Sequence, residues 1–568
     1  MSILDPKPQT VAGLDTAIEQ AIKTAGTKTG AALSATYARK FQIDVSTYVA
    51  SGSTDETAAV EAALTDVAAG GTLFFPRLTF GQSYRITNTL TVTKANLRFL
   101  GGGRDAYAVN IQKTTAGGTT IDVKAPGFVF DGLGIVGSDG QVTNGVGATI
   151  TGLDLYGDVD GNIDARITGA AFQYLAVGVR VRARNATIEG ETQFSNCLKG
   201  VVLDGIDAVY HTGANAAQNR GNTIRGCRFH NIGGASTDAA IEVTSAAKVL
   251  HALITGNYFD SNGLGRHIVA TGTSANPHKS ISIWGNKHTE AQANVYDLTY
   301  VNNSSVSDVD ILGYTGGAFG NGFVVNNCDT LSVRNVLGIQ IGRTGFYARN
   351  SPNLDLNNVN FAQVGIDTGA TYHGFDIDST NNNPQFTRLR VGTSPGYGFT
   401  GSPFNPSMVD SNFLTCTLGR ISSTTVTNRA VLGRNTFVES QQGRLEDVGR
   451  RSYDFAAGTA LTVATVTAGS TYGSMHIEVE FTGRDGTNGN AFVFVRRYVR
   501  PENGVPVIAT VGTDATANAT IALAASGTTG VTISITPTSA LYGSVVVRAS
   551  AGGAANSTNP RGVTVAMA

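Results

Sequence analysis

The sequence predicts an all-β chain: a right-handed parallel β-helix with a short N-terminal helical neck and a C-terminal β-sandwich. Three observations predict it. A glycine-led strand unit recurs along the middle of the chain, the composition suits tight turns, and the strand pattern changes after residue 455.

The recurring unit comes first. Gly178-Val179-Arg180-Val181 precedes Ile188, and Gly200-Val201-Val202-Leu203 follows one unit later. Further on come Gly322-Phe323-Val324-Val325, Gly345-Phe346-Tyr347-Ala348, Gly374-Phe375-Asp376-Ile377 and Gly398-Phe399. The steps from 178 to 200, 322 to 345, 345 to 374 and 374 to 398 are 22, 23, 29 and 24 residues. A unit of this length cannot bury its own apolar face, so the units must stack. Val and Ile at alternate positions then point inward, while Gly and Asn take the tight corners. Three more segments match one another: Ile224 to Phe229, Ile254 to Phe259 and Ile283 to His288. A leucine-rich repeat would need a Leu-x-x-Leu-x-Leu pattern, which is missing.

Composition narrows the function classes. The chain has 568 residues, 70 of them Gly, with 15% charged residues and a formal net charge of −1. No basic block stands out, so nucleic acid is excluded as a partner, because phosphate binding needs clustered Lys and Arg. Cys197, Cys227, Cys328 and Cys416 lie far apart without ligand spacing, and read as buried small hydrophobes rather than metal ligands. No cofactor is expected, and no apolar run is long enough to insert into a membrane.

In chain order, residues 1–41 form the neck, with Leu14, Ile18, Ala21 and Ile22 at helical spacing. Its narrow apolar stripe suits a self-associating stalk or a docking segment. Next, Ile43-Asp44-Val45 leads to Thr54-Asp55-Glu56-Thr57 and a helix over Ala58 to Ala69, with Val60, Ala63, Leu64 and Val67 on one face. Thr54 is the expected N-cap. Gly70-Gly71 stops the helix, and Thr72-Leu73-Phe74-Phe75-Pro76 is a strand. Tyr84-Arg85-Ile86, Leu90-Thr91-Val92 and Leu97-Arg98-Phe99-Leu100-Gly101-Gly102-Gly103 follow.

Residues 43 to 103 resemble the pectate-lyase-like domain that opens many β-helix proteins, bacteriophage tailspikes among them. That pattern is an Asp-rich turn, an amphipathic helix, Gly-Gly before a strand ending in Pro, then a strand ending in Leu-x-Gly-x-Gly. The resemblance implies a helix covering the open end of the β-helix, where a bare edge would otherwise pair with other chains. This chain departs in its short lead, Ala50-Ser51-Gly52-Ser53, and in the stretch from Pro76 to Tyr84.

The β-helix is expected over 42–440. A polar linker with Arg444, Arg450 and Arg451 runs over 441–454. Seven or eight longer alternating strands over 455–568 then suggest the sandwich. Similar sandwiches in tailspikes assist trimerisation or bind sugar. The N-terminus lacks a basic start and apolar run, so no secretory signal is expected, which fits a phage protein released by lysis. The resemblance implies a virion tail protein, a homotrimer docked through its N-terminus to other tail or baseplate proteins and recognising a host cell-surface glycan. Three classes compete: a depolymerising tailspike, a non-enzymatic receptor-binding or structural tail protein, and a bacterial polysaccharide lyase or hydrolase.

Chemistry is less legible. The nucleophile elbow, the zinc His-Glu-x-x-His and the P-loop are missing, as is the polygalacturonase motif set. Six of the eight histidines, His211, His230, His251, His267, His278 and His288, fall between residues 211 and 288, with the only tryptophan. Aligning Phe229, Phe259 and His288 puts His230, Asp260 and Thr289 in one corner stack, and Asn231, Ser261 and Glu290 in the next. With rungs about 4.8 Å apart, Asp260 and Glu290 are expected about 5–8 Å apart, a spacing glycosidase carboxylates use. Glu242, on an outward strand position, is the alternative catalytic residue. Inward Ile224, Ile254 and Ile283 turn Arg225, Thr255 and Trp284 outward, where Trp284 suits stacking on a sugar ring or contact with another subunit. Arg225, His230, Tyr258 and Tyr296 are the further expected sugar contacts.

Overall fold

The computed structural model describes residues 41–568 apart from short stretches, the longest being 138–146, 422–430, 434–445 and 553–562. The expected neck, except Phe41, lies outside the described residues. The chain forms a parallel β-solenoid of about 12 turns in all, carried by two compact units, Met1–Arg228 and Phe229–Ala568.

In the first unit, strands Leu90–Val92, Thr119–Val123, Thr151–Leu155, Val177–Val181 and Lys199–Leu203 stack in one parallel sheet. Ile121, Leu153, Val179 and Val201 are register partners and are all buried. A second face runs through Arg98–Gly101, Val129–Asp131, Arg166–Thr168, Thr187–Glu189 and Thr223–Arg225. There Phe99, Phe130, Ile167, Ile188 and Ile224 stack inward.

The second unit repeats the design. Ile241, Ile268, Tyr296, Phe323, Phe346, Phe375 and Phe399 are successive register partners. On the other face the inward column is Ile254, Ile283, Val306, Val333, Leu356 and Phe386. Each such side chain contributes about 1.5–3 kcal/mol by burial. Because the same slot meets itself one rung on, aromatic rings stack: Tyr296 on Phe323 at 4.6 Å and Phe323 on Phe346 at 5.3 Å.

The recurring glycines serve a purpose other than the expected tight corner. Gly178, Gly322, Gly345 and Gly374 have ordinary backbone angles, and what excludes a side chain is close approach. A Cβ on Gly322 would meet the carbonyl oxygen of Gly345 at 2.5 Å, and one on Gly374 would meet that of Gly398 at 2.5 Å. Each glycine therefore leaves room for the carbonyl of the next. Left-handed corners fall instead to Gly256 and Gly285 and to a series of asparagines, including Asn327, Asn350 and Asn358.

At the N-terminal end of the first unit, the helix spans Thr57–Asp66, ending three residues earlier than expected. Its N-cap is Glu56 rather than Thr54, and the Asp55 carboxylate accepts from the Thr57 N–H at 3.0 Å. Val60, Ala63, Leu64 and Val67 are buried as predicted. The early stop has a physical cause. The Lys94 ammonium donates to the carbonyls of Leu64, Thr65 and Val67 at 2.8, 2.6 and 2.6 Å, satisfying the orphan acceptors that end a helix.

Residues 446–454, expected in a linker, belong to strand Glu446–Phe455, which pairs antiparallel with Leu541–Gly552 over ten residue pairs. It is an edge strand of a six-stranded sheet, a position that tolerates polar residues. A second sheet of four strands completes this region. Val463, Val466, Ile477, Val479, Phe481, Ile533 and Val547 form part of its buried core.

Changing Gly345→Ala would place a methyl 2.6 Å from the Phe361 ring and 2.7 Å from the Gly374 carbonyl. Overpacking of this kind costs about 1–3 kcal/mol. Denaturant unfolding should show that loss, and an unchanged midpoint would refute the close-approach account.

Candidate functional site

Trp284 ends the three-residue strand Ser282–Trp284, where Ile283 points into the coil and Trp284 away from it. It is 49% exposed. Ser307 and Arg334 follow it in register on the next rungs. The Arg334 guanidinium is held by Asp355, with Nη2 at 2.6 Å from the carboxylate. The result is an outward column of one large apolar ring, a hydroxyl and a fixed cation. Thr255, the preceding register partner of Trp284, is buried rather than outward-exposed as expected.

Asp260 and Thr289 are register partners, and His230 lies one rung before Asp260, as the sequence alignment implied. Nδ1 of His230 sits 3.5 Å from the Asp260 carboxylate. Both are partly exposed. Glu290 is half-buried and takes a left-handed backbone, φ 52°, at an irregularity between His288 and Ala291. That irregularity breaks the regular corner stack on which the expected spacing of Asp260 and Glu290 was based. Ser261 lies outside the described residues. Glu242 is half-buried on strand Ala239–Val243, which belongs to a different sheet from Tyr258–Asp260. Tyr258 is half-buried, with its hydroxyl 3.4 Å from that of Thr289.

One expected sugar contact, Tyr296, is placed differently, whereas Arg225 is exposed as expected. Tyr296 is fully buried, its ring sandwiched into the aromatic column and its hydroxyl 2.7 Å from Nε2 of His288. It occupies the inward slot because the register makes it the partner of Ile268 and Phe323. Arg225 belongs to the first unit, where its guanidinium is bonded to Glu189.

The histidine enrichment also resolves differently. His211, His267, His278 and His288 are buried. His267 and His288 face each other through their Nδ1 atoms at 2.9 Å, stacked on Phe259 at 5.3 and 4.6 Å. Only one tautomer pair spares the interior an orphan N–H: His267 Nδ1–H donates to His288, and His288 Nε2–H donates to Tyr296. The Nε2 lone pair of His267 then faces the apolar core. Burial pushes the His267 imidazole down to about 3, and burial together with His267 pushes His288 well below its ordinary value.

Two charged clusters of the first unit escaped sequence reasoning. Asp122 and Asp154 are outward register partners. Arg182 Nε lies 3.2 Å and Arg180 Nη1 3.6 Å from the Asp154 carboxylate. Burial pushes Asp154 up to about 6 against the pull of Arg182 and Arg180, and raises Asp122 as well. The Arg182 guanidinium also lies 5.1 Å from the Tyr156 ring centre. Asp154 is only 1% exposed, so this cluster is a closed ion-pair network rather than an open site. The second cluster joins Glu189 to Arg166 and Arg225. A signal did exist: Ile121-Asp122-Val123, Leu153-Asp154-Leu155 and Val179-Arg180-Val181 place a charge in the same slot of three repeats. Among the described residues, no group of three or more His, Cys, Asp or Glu is placed to hold a metal ion.

Comparison with known proteins gives likeness of fold. No family model matches the chain, and no curated protein matches it. Among solved structures, it is similar to the tailspike protein of Acinetobacter phage vB_ApiP_P1, at 12% identity, TM-score 0.39, covering 92% of this chain and 88% of that one. The Dettilon tailspike protein is similar at 11% identity and TM-score 0.45, covering 90% and 95%. A third is gp49 of the Acinetobacter baumannii bacteriophage Fri1, a capsular polysaccharide depolymerase, at 12% identity and TM-score 0.30, covering 93% and 88%.

The buried histidine pair makes stability depend on pH in a defined direction. Unfolded, each imidazole binds a proton near pH 6.5; folded, His267 resists protonation down to about pH 3. Its contribution is complete above the unfolded value and is lost as pH falls below it. Asp154, raised by folding, acts in the opposite sense below about pH 6, so the comparison must be with a variant. His267→Phe should lose less melting temperature than wild type between about pH 7.5 and about pH 4.5. Equal losses would refute the neutral buried pair.

Proposed function

We propose that the chain is a bacteriophage tailspike or tail fibre protein that recognises a host cell-surface polysaccharide along its outward sheet faces. The observation that carries this reading is the exposed Trp284 on a rigid strand, followed on successive rungs by Ser307 and the anchored Arg334. A ring whose position is set by the backbone ladder stacks on a sugar at little ordering cost, and the neighbouring hydroxyl and cation supply directional bonds. Arg225, His230 and Tyr258 are further sugar contacts in this reading; Tyr296, being buried, is not.

The protein acts as a homotrimer docked to the virion tail through its N-terminus. Leu312, Leu337 and Ile339 support self-association: they are 42%, 40% and 38% exposed, and Leu312 and Ile339 are register partners. Sedimentation of the full chain at micromolar concentration should give a trimer; a monomer would remove this part. The C-terminal region contributes to trimerisation or sugar binding.

If the chain cleaves the glycan it holds, Asp260 and Glu290 are the acid–base pair, with Glu242 as the alternative. What supports this corner is an imidazole beside a carboxylate: His230 Nδ1 meets the Asp260 backbone carbonyl at 3.1 Å and lies 3.5 Å from its side chain. Assays should follow host envelope glycans for both retention and chain shortening. Trp284→Ala should weaken retention by about 1–3 kcal/mol, the range of ring stacking. Asp260→Asn and Glu290→Gln should lower turnover by at least about a hundredfold and leave retention intact. Loss of activity in Glu242→Gln alone would move the site to the neighbouring sheet. Retention without shortening by wild type would make the protein a non-enzymatic adhesin, and no retention at all would sink the proposal.

A further inference from the structure

The outward surface of the first unit carries a charged ladder that the fold does not need for its core. Arg166 leads strand Arg166–Thr168, Glu189 ends strand Thr187–Glu189, and Arg225 ends strand Thr223–Arg225. Arg166 is the register partner of Thr187, and Thr187 of Thr223, so these strands are successive rungs. Two rung steps, about 9.6 Å, and an offset from Thr223 to Arg225 along the strand separate the two arginine backbones.

Glu189 lies between them. Its side chain is 7% exposed, whereas those of Arg166 and Arg225 are 60% and 58% exposed. One carboxylate oxygen accepts from Arg166 Nε at 2.5 Å, and the other accepts from Arg225 Nε at 2.5 Å and from its Nη2. Burial pushes the Glu189 carboxyl up, but the hydrogen bonds from Arg225 and Arg166 outweigh it and hold the group below its ordinary value. The carboxylate is thus ionised and fully committed to orienting two guanidiniums.

The charge does not balance. One carboxylate faces two guanidiniums, while the neighbouring Arg98 is matched one to one by Asp131 at 2.5 Å. Arg166 meets Glu189 through Nε, and its side chain remains largely exposed. A guanidinium already fixed by a carboxylate keeps its planar fork ready for a second one, and loses little freedom on binding it. One guanidinium suffices to balance the charge of the buried Glu189 carboxylate, so the pair of arginines leaves a net positive charge at the surface for a ligand.

We propose that Arg166 and Arg225, held by Glu189, form a clamp for the carboxylate groups of an acidic polysaccharide, so that the glycan bound by this protein carries uronic or similar acid sugars. This rests on the glycan-binding reading above and adds the chemical class of the ligand. Both guanidiniums converge on the one Glu189 carboxylate, so together they face a single acid sugar of the glycan at a time.

The test uses the full chain on an array of bacterial surface polysaccharides, acidic and neutral, with a carboxyl-reduced copy of each acidic one. Retention should be confined to acidic members and fall at least about tenfold on carboxyl reduction. Arg166→Gln combined with Arg225→Gln should bind the native acid form at least about tenfold more weakly and lose wild type's preference for the native over the reduced form. Changing the polymer keeps the test decisive even where the variant misfolds. Equal retention of native and carboxyl-reduced glycan, or retention of neutral members only, overturns the clamp and leaves the glycan-binding function standing. Retention of nothing overturns both.

Discussion

The parallel backbone ladder between successive rungs, spaced about 4.8 Å apart, is the constraint on which everything else depends. It forces each side chain to lie over the residue in the same slot of the next coil. Inside, this produces columns such as Phe323, Phe346, Phe375 and Phe399. At one corner it brings backbones so close that only glycine fits. Outside, it converts a pattern in sequence into a row of functional groups at fixed pitch.

The interior is not purely apolar: Asn222, Asn257 and Asn286 are buried and hydrogen-bonded, and a polar chain runs through the aromatic column. His267, His288 and Tyr296 form a buried polar chain within the aromatic column, stacked on Phe259 and Phe323. An imidazole has nearly the shape of the phenyl ring it replaces, so the stack continues without a gap. The cost is a buried nitrogen facing apolar surroundings. Three thiols, Cys197, Cys227 and Cys328, fill the other small slots as inert hydrophobes, and burial raises all three.

On the outside, both units carry arginine–carboxylate pairs, among them Arg266–Asp297 and Arg349–Asp376 in the second. The first carries arginine–carboxylate ladders around Glu189 and Asp154. The second carries Trp284 with Ser307 and Arg334, and the His230–Asp260 corner. Asp154, Glu189, Trp284, Ser307 and Arg334 all stand on strands of the ladder, which fixes their backbone positions.

Alternation and repeat length determined much of this from sequence alone. The inward columns, the register of Phe323 with Phe346, the alignment of Phe259 with His288 and the outward Trp284 were all legible, because a stacked repeat makes local spacing equal to spatial position. Tertiary structure decided the rest. Tyr296 reads like a surface aromatic but sits in an inward slot, since its register is set by Ile268 and Phe323 on neighbouring rungs. Residues 446–454 look like a linker, yet Leu541–Gly552, a hundred residues away in sequence, supplies the partner that makes them a strand. Arg166, Glu189 and Arg225 gave no local motif, because ion pairs across rungs join residues 23 and 36 positions apart. Periodicity encodes which way a side chain points; which charges meet depends on loop lengths that bring one rung over the next.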